Sequence, residues 1–196
     1  MLSDCDMIYE RINCSLKMIT GTIKGGRNMF YSMQYKTPIG NCLLVSDEEN
    51  LVGLWFEGQK YYCPMKEIIK AGQQTEVLRQ TKEWLDGYFS GEKPCISKLK
   101  IKPKGSEFRQ DVWNVLCDIP YGEVITYGEV AKVIAKKYHR ETMSAQAVGG
   151  AVGHNPISII IPCHRVVGVN GNLTGYAGGM QKKKWLLKHE SGNSYM

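Results

Sequence analysis

The chain has 196 residues, 43% of them hydrophobic and 22% charged, with a formal net charge of +6. That length suits one large domain or two small ones, and no apolar run approaches the ~18 residues of a membrane span. Seven cysteines, at 5, 14, 42, 63, 95, 117 and 163, are odd in number and irregularly spaced. They predict neither a disulfide framework nor a zinc site and favour a reducing, cytoplasmic compartment. The early acids Asp4, Asp6 and Glu10 fit neither a secretory signal nor a transit peptide. Charge is uneven: residues 1–97 carry 11 basic side chains against 12 acidic, and residues 98–196 carry 14 against 7. The basic half predicts a polyanionic partner, with a merely basic surface as the alternative.

Residues 1–28 read as an extension, with a possible helical stripe of Ile8, Ile12, Leu16 and Ile19 broken by Gly21, Gly25 and Gly26. Residues 29–97 read as a small domain. Strands are predicted over Phe30–Lys36, Cys42–Val45 and Leu51–Phe56, with turns at Thr37–Gly40 and Asp47–Asn50. A helix over 74–89 follows, with Val77, Leu78, Trp84, Leu85, Tyr88 and Phe89 on its apolar side, stopped by Gly91 and Pro94. Residues 98–104 are predicted to link this domain to a second, 105–196.

The second domain opens with a helix capped by Ser106, burying Phe108, Val112, Val115 and Leu116. After Pro120-Tyr121-Gly122, a helix over Tyr127–Lys137 turns Val130, Val133 and Ile134 inward. A second begins near Ser144 and ends before Asn155-Pro156. Two short helices joined by a turn predict a helix-turn-helix. The second is rich in Ala and Gly, a composition suited to close approach by another helix or by a nucleic-acid backbone. The apolar run Ile157–Ile161 reads as a buried strand that Pro162 ends, leaving Cys163 in a turn beside His164. Gly168–Gly179 reads as a hairpin or wing. A last helix, Gln181–His189, presents Lys182, Lys183 and Lys184 as a solvated face.

Alone, a Cys-His pair more often marks a structural cysteine than a nucleophile. Here it stands in an ordered set: Tyr121-Gly122-Glu123-Val124-Ile125-Thr126-Tyr127, Ala147-Val148-Gly149-Gly150-Ala151, Asn155-Pro156, Pro162-Cys163-His164-Arg165-Val166-Val167, Gly175-Tyr176-Ala177-Gly178-Gly179, then Trp185-Leu186-Leu187 and Glu190. This set resembles the O6-alkylguanine-DNA alkyltransferases (methylated-DNA–protein-cysteine methyltransferases), closely over 106–190 and loosely back to Met29.

The resemblance implies an α+β protein. A small N-terminal α/β domain with an antiparallel sheet would support a C-terminal winged helix-turn-helix-like domain. It implies a single-turnover DNA repair enzyme without cofactor or metal, acting as a monomer on the minor groove of double-stranded DNA containing O6-alkylguanine. Such a protein works in the cytoplasm, or in the nucleus of a eukaryote. By the same resemblance Cys163 is nucleophile and final acceptor, His164 its base through a water, and Glu190 the group that orients the imidazole. Tyr127 donates to the leaving base, and Asn155 bridges the helix-turn-helix to the active-site turn. The substrate pocket is expected from Tyr176, Ala177, Gly178, Val166 and Val152, with the carbonyls of Cys163 and Val166 reading the guanine amino group. DNA contacts are expected from Gln146, Ala147, Gly149, Gly150 and Arg165. The chemistry is consistent with the residues: an alkyl ether is a poor electrophile, so the site needs a thiolate and a means of protonating the departing base.

The sequence departs from the family where Gln146 stands in place of the usual arginine that enters the vacated base stack. The connection Lys136–Met143 is also long for the family. Three other classes compete: a lesion binder without transfer, which would lack the cysteine; a helix-turn-helix regulator, which leaves Cys163, His164 and Glu190 unexplained; and a cysteine hydrolase, which would turn over.

Overall fold

A computed structural model describes residues 29–64, 69–71 and 74–192; the helical stripe expected in 1–28 lies outside them. Strands β1 (Phe30–Thr37), β2 (Gly40–Ser46) and β3 (Leu51–Phe56) form an antiparallel meander. The first turn closes through Thr37, whose hydroxyl accepts from Ile39 N–H and donates to the Gly40 carbonyl. Asp47 closes the second by accepting from the backbone of Glu49 and Asn50. A short strand missed by the sequence reading, β4 (Ile69–Ala71), pairs parallel to β1 and makes the sheet order β3-β2-β1-β4. Helix α1 (Glu76–Phe89), capped by Thr75, buries Val77, Leu78, Trp84, Leu85 and Tyr88.

The outer edge of β3 joins the two halves. Leu51 exchanges backbone hydrogen bonds with Lys100 and Lys102, so the lysine-rich connection is fastened to the sheet and buries Leu99 and Ile101. Leu54 does the same with Pro156 and Ser158, which places the chain leading to Cys163 beside the sheet. One hydrophobic cluster therefore runs from Leu44 and Phe56 through Trp113 to Cys163 and Leu186.

In the C-terminal half, α2 (Glu107–Cys117) starts at its Ser106 cap and buries Val112, Trp113, Val115 and Leu116; Phe108 is half-buried. Helix α3 (Tyr127–Lys137) begins in a reciprocal cap, Thr126 with Glu129, and α4 (Ala145–Gly153) begins at Ser144. Trp113 Nε1 donates to the Ala151 carbonyl and holds the end of α4 against α2. Helix α5 (Met180–Ser191) closes the chain. β5 (Ile125–Thr126) and β6 (Val166–Val167) form a two-residue parallel pair.

Two local expectations are corrected. Ile157–Ile161 is buried but is not a strand: only Ile157 bridges to β3, and the chain then turns tightly. The 168–179 segment is an irregular loop with a 3-10 turn at Val169–Gly171, rather than a hairpin. Its backbone is held from below by Lys183, which satisfies the carbonyls of Thr174 and Gly175 in place of a cross-strand ladder. Among the described residues, no helix is long and apolar enough to cross a membrane.

Candidate active site

Asn155 organises the turn that carries the thiol. Its Oδ1 accepts from Ile157 N–H at 2.9 Å, and its Nδ2 donates to the Ile161 carbonyl at 2.8 Å and to Cys163 Sγ at 3.0 Å. Between these anchors Ile159 adopts φ 71°, with the Ser158 carbonyl accepting from Ile160 N–H. A positive-φ γ-turn on a β-branched residue costs about 1–3 kcal/mol and persists only where its surroundings dictate it. Here Asn155 and the β3 edge do so. Cys163 then begins a 3-10 turn over Cys163–Arg165.

That turn sends His164 and Arg165 to one carboxylate. His164 Nε2 lies 2.7 Å from Glu190 Oε1, with both side chains fully buried. Arg165 Nε donates to Oε2 at 2.8 Å, its NH2 to Oε1 at 3.0 Å, and its NH1 to the Ile119 carbonyl at 2.6 Å. Tyr88 of α1 donates to Oε1 at 2.6 Å, and Gly122 N–H reaches Oε2 at 3.3 Å. Burial would push Glu190 up, but His164 and Arg165 hold it well below the usual carboxylate range. Burial pulls His164 below its ordinary value, and Glu190 only partly restores it. A carboxylate only accepts, so the Nε2 proton lies on its side, and burial favours the neutral ring, whose lone pair is then on Nδ1. Nδ1 is buried and has no hydrogen-bond partner among the described residues.

Burial pushes the Cys163 thiol up, while the Asn155 amide and the Lys183 ammonium pull it back. Lys183 corrects an expectation: it is buried rather than solvated, and its amine donates to the Val166 carbonyl at 2.6 Å and to the Thr174 carbonyl at 3.0 Å. Burial pulls its ammonium down to about 8. The signal lay in the spacing, since Lys183 shares a stripe with Leu186, Leu187 and Glu190 at i, i+3, i+4 and i+7.

Cys163 opens into a cavity of about 340 Å³, within the usual range for small-ligand sites. Of the expected pocket residues, Tyr176, Ala177 and Val152 line it, as do Tyr127, Gly149 and Gly150. The Tyr127 hydroxyl donates to the Thr174 carbonyl at 3.4 Å. Two expected residues fall elsewhere. Val166 is buried in β6 with its carbonyl taken by Lys183, and Gly178 packs so tightly that a Cβ there would come within 2.8 Å of the Tyr176 ring and 3.1 Å of Phe56.

Of the expected DNA contacts, Gln146 and Ala147 are exposed on the first turn of α4, and Gly150 is exposed beside the cavity. Gly149 lies against the Tyr127 ring. Arg165 is corrected: its guanidinium is buried, held by both Glu190 carboxylate oxygens and the Ile119 carbonyl rather than turned out to solvent. Lys60, Tyr61, Gly153, His154 and Gly175 also line the cavity, and with Tyr88 and Lys183 they are site residues that sequence reasoning missed. Lys60, Tyr61 and Tyr88 approach across the domain junction, where no local pattern points. Among the described residues, no cluster of acidic, His and Cys side chains could hold a metal.

A thiol, an imidazole and a buried carboxylate grouped beside a glycine-lined cavity, next to two short helices joined by a turn, form the kind of arrangement that cysteine-based group transfer uses. Two family profiles match this chain: the ribonuclease-like domain of 6-O-methylguanine DNA methyltransferase over residues 29–103 and its DNA binding domain over 107–192. The methylated-DNA–protein-cysteine methyltransferase of Haemophilus influenzae is 41% identical over 160 residues, covering 82% of this chain and 86% of the relative. That of Methanosarcina acetivorans is 43% identical over 162 residues, covering 83% and 98%. The crystal structure of the Mycobacterium tuberculosis O6-methylguanine methyltransferase superposes with a TM-score of 0.71 at 35% identity, covering 85% of this chain and 95% of that one. The crystal structure of Mycobacterium tuberculosis OGT in complex with DNA gives 0.71 at 34% identity, covering 84% and 94%. The chain belongs to the methylated-DNA–protein-cysteine methyltransferase family.

Proposed function

We propose that this protein repairs DNA by moving an alkyl group from the O6 atom of guanine to its own Cys163, once per molecule. The observation that carries the reading is the run of contacts from Tyr88 and Arg165 through Glu190 to His164, beside a cavity floored by the Cys163 thiol.

His164 Nδ1 takes the thiol proton through one water, since neighbours in a tight turn do not face each other. Sulfur attacks the alkyl carbon, the S–C bond forms as the C–O bond breaks, and the electron pair goes to guanine. Tyr127 protonates the leaving base and recovers its proton from the imidazolium, so the thiol's hydrogen ends on guanine. Lys183 and Asn155 stabilise the thiolate, Glu190 holds the ring in position, and burial together with Arg165 keeps it neutral beforehand. The product is a thioether with no leaving group able to regenerate the thiol.

A stacked guanine cannot reach a buried sulfur, so the nucleotide is rotated out of the duplex into the cavity. The exposed first turn of α4 enters the minor groove and Gln146 fills the vacated stack. Gly149 and Gly150 admit the base beside Tyr127 and Tyr176. The test is incubation with duplex DNA carrying O6-methylguanine, followed by peptide mass spectrometry. One methyl on the peptide containing Cys163 is expected. Methylation at Cys117, whose thiol burial pushes up to about 12, would overturn the assignment.

A further inference from the structure

The lip of the Cys163 cavity is built partly by the N-terminal domain. Just past β3, three consecutive residues each grip a different wall of the site. Gln59 is buried, and its Oε1 accepts from Ser158 Oγ at 3.2 Å, on the segment that leads to Cys163. Lys60 N–H donates to the Ala177 carbonyl at 3.0 Å, on the glycine-rich rim. Tyr61 stacks on His154 at the C-terminus of α4, with ring centroids 3.9 Å apart and planes 20° apart. Tyr61 holds φ 60°, a left-handed conformation that a non-glycine residue keeps only when its contacts dictate it. The strap is therefore fixed, yet its outer parts face solvent: Tyr61 is 48% exposed, and the Lys60 ammonium sits 5.0 Å above the Tyr61 ring. Lys60 makes no ion pair among the described residues.

Resting on the proposed function, we propose that Lys60 binds a backbone phosphate flanking the extruded nucleotide, and that the Tyr61–His154 stack props it there. A cation fixed at the mouth of a cavity that receives a nucleotide meets a phosphodiester before any other group, because the phosphates remain outside when the base enters. A polyanion satisfies a solvent-facing ammonium that no carboxylate among the described residues pairs. The N-terminal domain then contributes directly to substrate capture, beyond supporting its neighbour.

The test compares wild type, Lys60→Gln and Lys60→Arg for binding to duplex DNA containing one O6-methylguanine across a salt series, with the ion-paired Lys82→Gln as control. Losing one phosphate contact lowers the magnitude of the log–log salt slope by about 0.9. Lys60→Gln should show that loss, Lys60→Arg should keep the wild-type slope, and so should Lys82→Gln. Lys60→Gln should also slow transfer from duplex DNA more than transfer from free O6-benzylguanine, which has no phosphate. An unchanged slope in Lys60→Gln, or equal slowing on both substrates, overturns the proposal. If wild type transfers from neither substrate, the repair reading fails instead, and the binding slope alone still decides the role of Lys60.

Discussion

Replacing Tyr88 by Phe tests the coupling between the N-terminal domain and the His164–Glu190 pair with little change in shape. Tyr88 and His164 donate to the same atom, Glu190 Oε1, at 2.6 and 2.7 Å. A hydrogen bond to a charged group contributes about 1.5–3 kcal/mol. At ~2–4 °C per kcal/mol for a chain of this size, the melting temperature should fall by about 3–12 °C. A second effect is specific to the network. With one donor gone, Oε1 interacts more strongly with His164 and holds the imidazolium proton more tightly. In the wild type, burial keeps the His164 pKa below its ordinary value, so the neutral base persists to lower pH. Raising that pKa in Tyr88→Phe protonates the base at higher pH, and the acid limb of the transfer rate should move upward. Quenched transfer assays across pH, with melts under the same buffers, measure both quantities. A lower melting temperature with an unmoved acid limb would refute the coupling and leave Tyr88 a packing residue.

Three further outcomes follow from the same contacts. Asn155→Ala removes a donor to the Cys163 sulfur, so thiol alkylation by a mild reagent near neutral pH should slow roughly ten- to a hundred-fold; an unchanged rate would show that the amide does not stabilise the thiolate. Arg165→Met strands a buried carboxylate and should cost about 3–5 kcal/mol, much of it recovered in the Arg165→Met/Glu190→Gln double variant; equal stability of single and double variants by chemical denaturation would contradict the charge pairing. Gln146→Arg supplies a planar cation to the vacated base stack and should speed transfer in a well-paired duplex more than in mismatched or single-stranded DNA, where extrusion costs less; an equal effect on all three would remove Gln146 from the insertion step.

The parts of the site that were legible in the sequence are those that lie in the ordered set of motifs carrying the family resemblance. Cys163, His164, Asn155 and Glu190 were singled out through the family resemblance rather than by local pattern alone, and the fold brings Asn155 onto the Cys163 sulfur and His164 onto Glu190. The strands, helices and caps at Ser106 and Ser144 were readable because turn chemistry and periodicity act over a few residues. What escaped depends on partners far along the chain. Tyr88 was placed on the buried face of its helix, but its bond to Glu190 spans 102 positions. Arg165 reads as a surface cation until Glu190 is found beneath it. Ile157–Ile161 has the composition of a strand, yet the Asn155 amide and the β3 edge bend it into a turn at a residue type that resists the conformation. Lys60 and Tyr61 carry no motif and acquire meaning only where β3 delivers them to the cavity.

The central claim is that Cys163 is both nucleophile and final acceptor, and the stoichiometry of transfer tests it most directly. With O6-methylguanine duplex in large excess, methyl groups moved per protein molecule should rise to one and stop, with all of them on Cys163 and none transferred by Cys163→Ser. Continued release of repaired DNA beyond one equivalent, or transfer that survives Cys163→Ser, would contradict the account.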